Sequence, residues 1–335
     1  MKKLLKIFAT IVIICLIVVL VVKLCFTFNK GVVSPINMED IKSVQVINLD
    51  RSQDRREKYE KMLKDSFGDK FLGQNIGDEI RLAGTDGVKH LAIIELDDKG
   101  NEVKNVDIAK LKAREVELKN GVNYKVFDKN YPEFVYNYRL DPDKIVVDRK
   151  KKHRRHLTVG EFGCMLSHLR AIRNVANNEN SNFGLVVEDD LYIPKNFYDN
   201  LKIILANAPK GFGLIKLDSA KGGGKDHFSV NNHTSSFLFS DLIYGRNKYV
   251  YNIKAEIFHG IAGTTGYVIT KDFAKKITEL FKAETINGFE GASDMLLFMV
   301  LPKKYNADDI WIVKKPVLWQ RGFASEISKM QARYV

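Results

Sequence analysis

The feature that most constrains this chain is a capped helix that leads directly into a buried strand. Thr158 and Glu161 have the spacing of a capping box, and apolar residues follow them at helical intervals. This pattern predicts a helix over Val159–Asn177. The apolar run Phe183–Val187 then predicts a buried strand, and the run ends abruptly in three acids. A helix followed by a buried strand is the repeating unit of an α/β fold.

The alternation of strands and helices continues on both sides of this unit. Further strands are predicted at Val44–Leu49, Ile80–Ala83, Gly213–Leu217 and Thr265–Ile269, and further helices at about Gln53–Lys64 and Asp272–Lys282. Residues 88–148 mix charged and aromatic segments and allow no firm assignment. The pattern predicts an α/β fold with a mostly parallel sheet flanked by helices.

The positive charge of the chain is concentrated in two short segments. The formal net charge is +12, which by itself raises the possibility of a nucleic-acid-binding protein. Five Lys without any acid lie in residues 1–30, and six basic residues lie in residues 149–155. The rest of the chain is almost neutral, so we expect no nucleic-acid partner if the N-terminal segment holds the protein in a membrane.

Residues 1–30 predict an N-terminal membrane anchor. From Leu4 to Phe28 only Lys6 and Lys23 carry a charge, and about 20 apolar residues suffice to cross a bilayer. The alternative is a cleaved signal peptide, although no small-x-small cleavage signal follows the apolar run. The basic residues before the span favour a single-pass protein with a cytoplasmic N-terminus and a lumenal or periplasmic domain.

The three acids Glu188, Asp189 and Asp190 are the strongest chemical signal. In open α/β sheets, ligands bind outside the carboxyl ends of the strands. Extended backbone would direct Glu188 and Asp190 to one side and Asp189 to the other. Two carboxylates on one side suit a hard cation such as Mn²⁺ or Mg²⁺ that also binds phosphate oxygens. The alternative is a solvated acidic turn.

Three blocks of residues occur in the order found in a known family. They are Val46–Ser52 with Asp54–Arg56, Arg81, Ala83 and Gly87; then Gly160–Cys164 with Ser167, His168 and Val186–Asp190; then Gly266–Ile269 with Ala274–Lys276, Asp294, Pro316, Gln320 and Ser325–Ile327. In these blocks the chain resembles glycosyltransferase family 25, which includes bacterial lipooligosaccharide galactosyltransferases and the catalytic domains of procollagen galactosyltransferases.

The resemblance implies a GT-A fold with a Rossmann-like sheet and inverting transfer of a hexose from a UDP-sugar. Galactose is the first expectation for the sugar, and a glycan, a lipooligosaccharide or a protein hydroxyl for the acceptor. Residues 44–330 would form this domain after a linker at 31–43, with an insertion at about 88–155. The alternatives are a non-catalytic relative that acts as a glycan-binding or adhesion module, and a phosphohydrolase.

The resemblance also assigns roles to single residues. Asp190 and Glu188 would bind Mn²⁺ or Mg²⁺, and Asp189, Asn48, Asp50, Arg51 and Arg81 would contact the nucleotide donor. Asp294 is the candidate general base, with Glu161 and His168 as further catalytic candidates.

Several of these residues also have structural interpretations. Glu161 is equally explained as a helix cap, His168 as a buried core residue, and Cys164 as a small apolar one. Ser167 and His168 do not form a hydrolase pair, because adjacent helical positions face about 100° apart.

Two further segments have open functions. The basic run Arg149–His156 is either a solvated patch, a binding surface for anionic lipids or acidic glycans, or a contact for the donor diphosphate. The segment Gly222–Lys225 lacks the Walker spacing, and we expect a loop that closes over the donor.

Overall fold

The computed structural model of the chain describes the following parts of the sequence. They are residues 37–108, 116, 118–119, 121–139, 147–148, 153–154, 157–209, 211–218, 250–252, 264–283, 285–287, 310–313 and 316–320. The predicted anchor, Asp294, the segment Gly222–Lys225 and most of the basic run lie outside these residues. No helix within the described part is long and apolar enough to cross a bilayer.

Within these residues the structure contains four α-helices, one short 3-10 helix (Met38–Asp40) and eighteen short or medium strands. The helices are α1 (Gln53–Phe67), α2 (Val159–Asn177), α3 (Phe197–Ala206) and α4 (Lys271–Ala283). The strands are β1 (Ile41–Asn48), β2 (Lys70–Phe71), β3 (Gln74–Asn75), β4 (Arg81–Ala83), β5 (Leu91–Leu96), β6 (Glu102–Asn105), β7 (Asn123–Asp128), β8 (Tyr131–Arg139), β9 (Val147–Asp148), β10 (His153–Arg154), β11 (Phe183–Glu188), β12 (Leu191–Tyr192), β13 (Leu214–Lys216), β14 (Val250–Asn252), β15 (Gly266–Thr270), β16 (Thr285–Asn287), β17 (Ile310–Val313) and β18 (Trp319–Gln320).

The main sheet has seven strands in the order β14-β17-β13-β15-β11-β1-β4. Strand β1 is parallel to both β4 and β11, and β13 is parallel to β17. Strand β15 is antiparallel to both of its neighbours, and β14 is antiparallel to β17. Five of the seven strands therefore share one direction, which confirms the predicted mostly parallel sheet. The carboxyl ends of β1, β11 and β13 meet the amino end of β15 at one border, which we call the carboxyl edge.

Helices cover both faces of the main sheet, as the alternating side chains of β11 require. Val186 packs on one face with Phe162 of α2 and Ile277 of α4. Leu185 and Val187 pack on the other face, together with apolar residues of α1 and α3. We call these two sides the α2 face and the α1 face.

Helix α2 has the boundaries and the cap that the sequence predicts. The Glu161 backbone N–H donates to the Thr158 hydroxyl at 3.2 Å, and the Thr158 N–H donates to the Glu161 carboxylate at 2.8 Å. Because α2 runs antiparallel to the strand that follows it, its capped N-terminus points toward the carboxyl edge.

The turn after β4 packs backbone to backbone against the start of α2. A Cβ atom on Gly87 would lie 1.9 Å from the carbonyl oxygen of Val159, and one on Gly163 would lie 2.6 Å from that of Thr85. Only glycine fits at these two positions without moving the backbone. This close packing fixes the segment after β4, including its turn at residues 87–90, to α2.

A second sheet arises largely from the segment that the sequence left unassigned. Its order is β16-β8-β7-β5-β6, and the four strands β5 to β8 form antiparallel pairs. Tyr138 meets Phe162 of α2 edge to face at 5.3 Å, and Tyr136 meets Phe281 of α4 at 6.3 Å. This sheet therefore covers α2 and α4 on the side that faces away from the main sheet.

Candidate active site

The three consecutive acids at the end of β11 separate onto different sides of the sheet. Glu188 is the last residue of the strand and pairs in register with Ile47 on β1. Its side chain lies on the α2 face, and that of Asp189 lies on the α1 face, as extended backbone requires. Asp190 follows the strand and contacts a residue of β18. Each carboxylate thus has its own surroundings and its own chemistry.

Asp189 is bound from two directions on the α1 face. One of its carboxylate oxygens accepts a hydrogen bond from the Asn48 amide, and the other accepts from the Arg55 guanidinium, both at 2.7 Å. Burial raises the pKa of Asp189, although Arg55 and Asn48 oppose that effect. Asp189 therefore ties the acidic segment to β1 and α1, and it reaches the predicted nucleotide contacts through Asn48.

Glu188 lies in a polar cluster on the α2 face. The His168 Nε2 atom is 3.1 Å from a Glu188 oxygen, and the Thr264 hydroxyl donates to the same oxygen. The His168 Nδ1 atom is 3.0 Å from the Tyr267 hydroxyl. Burial alone would raise the pKa of Glu188, but the bonds from His168 and Thr264 and the charge of Lys216 hold it below its ordinary value.

Asp190 carries a buried carboxylate oxygen without a hydrogen-bond donor. Only 3% of the residue is exposed, and its Oδ2 atom accepts from the Gln320 amide at 2.7 Å. Its Oδ1 atom has no hydrogen-bond partner among the described residues. Burial and the negative charge of Glu188 raise the pKa of Asp190 to about 7. A buried oxygen of this kind is costly, and a bound cation would satisfy it, so Asp190 fits the predicted metal site.

The predicted nucleotide contacts form one network beside these acids. The Arg81 Nε–H donates to the side-chain amide oxygen of Asn48 at 3.1 Å, and Arg81 forms an ion pair with Asp50. Arg51 forms an ion pair with Asp86 in the turn after β4. Burial alone would raise the pKa of Asp86, but Arg51 lowers it below its ordinary value. Two guanidinium groups are thereby held at the carboxyl edge.

Two charged residues at the same edge were missed by sequence reasoning. Lys216 is fully buried at the end of β13 and forms an ion pair with Asp218. Burial raises the pKa of Asp218 to about 6, although Lys216 opposes the effect. The available signal was a lysine inside an otherwise apolar strand. A buried lysine is almost always paired with an acid, so its position indicates a carboxylate nearby.

The three candidate catalytic residues His168, Glu161 and Asp294 have different positions relative to this site. His168 is only 1% exposed, so within the described structure it reaches the carboxyl edge through Glu188. The Glu161 carboxylate accepts hydrogen bonds from Thr158 in the capping box of α2, and a catalytic role for it stays a prediction. Asp294 lies outside the described residues, and its role as general base stays a prediction.

Comparison with known proteins identifies the family of this chain. The family model described as glycosyltransferase family 25 (LPS biosynthesis protein) matches residues 93–296, more than half of the chain. The match includes α2, the acidic segment after β11 and α4, whereas β1 and β4 precede it. No curated protein matches the chain. The chain is a glycosyltransferase, and it belongs to glycosyltransferase family 25.

Proposed function

We propose that the enzyme transfers a hexose, with galactose as the first expectation, from a UDP-sugar to an acceptor hydroxyl. The acceptor would be a glycan, a lipooligosaccharide or a protein side chain. The proposal includes a hard divalent cation, Mn²⁺ or Mg²⁺, bound by Asp190. The observation that carries it is the buried Oδ1 atom of Asp190, which has no hydrogen-bond donor among the described residues and lies at the edge where α/β sheets bind ligands.

Asp190 is better suited to hold the cation than Glu188, although the sequence predicts both as ligands. One oxygen of Glu188 is already hydrogen-bonded by His168 and Thr264, whereas one oxygen of Asp190 has no donor in the part of the chain that the structure describes. The negative charge of Glu188 still favours a cation nearby. When bound, the cation would neutralise charge on the leaving diphosphate.

The nucleotide would lie against the network of Asn48, Asp50 and Arg81. The Arg81 guanidinium donates hydrogen bonds to Asn48 and Asp50, which fix its orientation. Arg81 therefore loses little side-chain entropy when the nucleotide sugar binds. Arg51 is 28% exposed in its ion pair with Asp86, and it can therefore contact solvent or a phosphate. These side chains would bind and orient the donor.

Inversion at the sugar carbon requires a base for the acceptor proton, and we propose Asp294 for this role. The position follows from the family pattern and lies outside the described residues. Asp294→Asn should lower kcat strongly while leaving the affinity for UDP unchanged. Equal loss of UDP binding would instead show that Asp294 acts in donor binding.

The central test is transfer by the full chain with a panel of UDP-sugars and Mn²⁺. Release of UDP that depends on both metal and acceptor supports the proposal, and no turnover with any common donor would contradict it. Asp190→Ala should remove metal dependence and activity. Asp78→Ala is the matched control, because the Asp78 side chain is 90% exposed and far along the sequence from the acidic segment.

Calorimetry with UDP and Mn²⁺ separates the alternatives. A non-catalytic glycan-binding or adhesion module should show no metal-dependent nucleotide binding. A phosphohydrolase would release product at the same rate without an acceptor. Metal-dependent binding of UDP together with acceptor-dependent release is expected only of the transferase.

We also propose that residues 1–30 attach the enzyme to a membrane, with the domain on the lumenal or periplasmic side. The support is the charge pattern around the apolar run. In a bacterium, however, nucleotide sugars are made in the cytoplasm, which favours the opposite side. Protease protection of the C-terminus in intact membranes would decide between the two sides.

A further inference from the structure

A thiol, an imidazole and a carboxylate converge on the α2 face behind the acidic segment. The groups belong to Cys164, His168 and Glu188, and their possible ligand atoms all lie within 4.8 Å of one another. We propose that these three residues bind a thiophilic divalent cation, Zn²⁺ first, in a site separate from the hard-cation site at Asp190.

The distance between the imidazole and the carboxylate is close to that of a tetrahedral zinc site. Zn–N and Zn–O bonds of about 2.0–2.1 Å at a tetrahedral angle separate the two ligand atoms by about 3.3 Å. The His168 Nε2 atom and the Glu188 oxygen are 3.1 Å apart. The cation would thus take the place of the proton that now joins them, with only a small movement of either side chain.

The helix supplies two of the three ligands on one face. Cys164 and His168 are four residues apart on α2, a spacing that places side chains one above the other. Cys164 is only partly buried, which gives the cation a route from solvent. Helix α2 is capped at one end and packed between two sheets, so the spacing of these two ligands is rigid.

Other side chains already orient the imidazole and the carboxylate. The Tyr267 hydroxyl lies 3.0 Å from His168 Nδ1, and Thr264 donates to Glu188. A hydroxyl can accept as well as donate, so Tyr267 can still satisfy Nδ1–H when Nε2 gives up its proton to bind a metal. Supporting bonds of this type are typical of metal sites and strengthen ligand binding.

Charge and ligand type favour zinc over the harder cations. A thiolate and a carboxylate neutralise Zn²⁺, so the occupied site would carry no net charge beside the buried ion pair of Lys216 and Asp218. The mixture of sulfur, nitrogen and oxygen suits zinc, whereas Mn²⁺ and Mg²⁺ prefer oxygen. Three protein ligands leave a fourth position for water.

The site would affect catalysis because Glu188 belongs to both clusters. If the proposed transfer is correct, zinc bound here would fix Glu188 toward α2 and reduce its electrostatic effect on Asp190. Zinc should then lower the transfer rate without being displaced by excess Mn²⁺. This consequence rests on the proposed function, whereas zinc binding itself does not.

The test uses the metal-stripped full chain without donor or acceptor. Wild-type protein should bind one Zn²⁺ in calorimetry, and Co²⁺ should give the absorption of a thiolate–cobalt bond. Cys164→Ser should lose that absorption and weaken zinc binding by more than about 100-fold, the upper range for loss of a merely supporting bond. The double variant Cys15→Ser, Cys25→Ser is the matched control, since it removes the chain's other two cysteines, and it should bind as the wild type does.

Tyr267→Phe provides a second measurement that leaves all three ligands in place. It removes the hydroxyl beside His168 and should weaken zinc binding by about 10- to 100-fold. Zinc binding that is unchanged in Cys164→Ser, or absent from the wild type at micromolar concentrations, would overturn the proposal. Neither result would touch the transferase assignment, which is measured separately with UDP-sugars.

Discussion

The burial of Asp190 should make the metal-free enzyme less stable than an otherwise identical protein with a neutral side chain at this position. The pKa of Asp190 is raised from 3.8 to about 7 in the folded state, chiefly by burial. Each unit of pKa shift corresponds to about 1.36 kcal/mol, so ionised Asp190 costs about 4 kcal/mol of stability above pH 7. Because the folded-state pKa is the higher one, this cost grows as the pH rises from about 4 to about 7, and it is absent below about 4.

Asp190→Asn removes this cost while nearly keeping the shape of the side chain. Its carbonyl oxygen can still accept from Gln320, but its NH₂ group would occupy the place of Oδ1, where the described residues offer no hydrogen-bond partner. An unsatisfied buried donor costs about 1–3 kcal/mol. We therefore expect the variant to be more stable than the wild type by about 1–3 kcal/mol at pH 8, and to lose most of that advantage at pH 5.

Urea unfolding in the presence of a chelator, at pH 5 and pH 8, measures this difference directly. Asp78→Asn serves as the control, because the exposed Asp78 side chain should give almost no difference at either pH. Mn²⁺ should then stabilise the wild type and leave Asp190→Asn unchanged, since binding to the folded state alone raises stability. A variant that is less stable than the wild type at pH 8 would refute the reasoning, because burial would then not be the main cost at this position.

Three further substitutions test the packing around the site. Arg55→Ala should lower the free energy of unfolding by about 3–5 kcal/mol, because it leaves the buried carboxylate of Asp189 without its cation. Arg56 lies in a more exposed ion pair, so Arg56→Ala should lower the free energy of unfolding by only about 0–1 kcal/mol. Similar losses for the two would contradict the structural role of Arg55. Thr158→Ala should lower the free energy of unfolding by about 1–2 kcal/mol through loss of the α2 cap, and an unchanged value would show that the cap is dispensable. Gly87→Ala should cost about 3 kcal/mol in the same measurement, because its methyl group would overlap the backbone of α2, and a fully stable variant would show that the turn can move away.

The main sheet and its helices were largely predictable because their signals are local. Thr158 and Glu161 fix the start of α2 within a few residues of sequence, and the apolar run before Glu188 fixes β11. The direction of β15 was not predictable, since an apolar strand has the same composition whichever way it runs. Helix α3 was also missed, although it carries apolar residues at helical spacing.

The second sheet was missed partly because strands such as β7 alternate buried residues with more exposed, polar ones. In β7 the half-exposed Lys125 lies between the buried Tyr124 and Val126. Lys125 forms an ion pair with Glu102, a residue of β6. The pairing partners that make such a strand stable come from distant positions. A single sequence shows the charges but not these partners.

The position of Glu188, Asp189 and Asp190 at the end of a strand was predictable, but most contacts of these acids were not. Strand geometry correctly placed Glu188 and Asp189 on opposite faces. It could not show that Arg55, one turn into α1, would bind Asp189, or that Lys216 would lie close enough to lower the pKa of Glu188. These contacts join residues more than 25 positions apart, and only the folded chain brings them together.

The reversed direction of β15 gives the enzyme two kinds of connection at the carboxyl edge. At the carboxyl edge, residues of the parallel strands lie where the chain leaves the sheet. Thr264 instead lies just before β15, where the chain enters the sheet. The hydroxyl that donates to Glu188 thus comes from a position 76 residues later in the sequence. Length changes directly before Thr264 should therefore alter the surroundings of Glu188, although they lie far from Glu188 in the sequence.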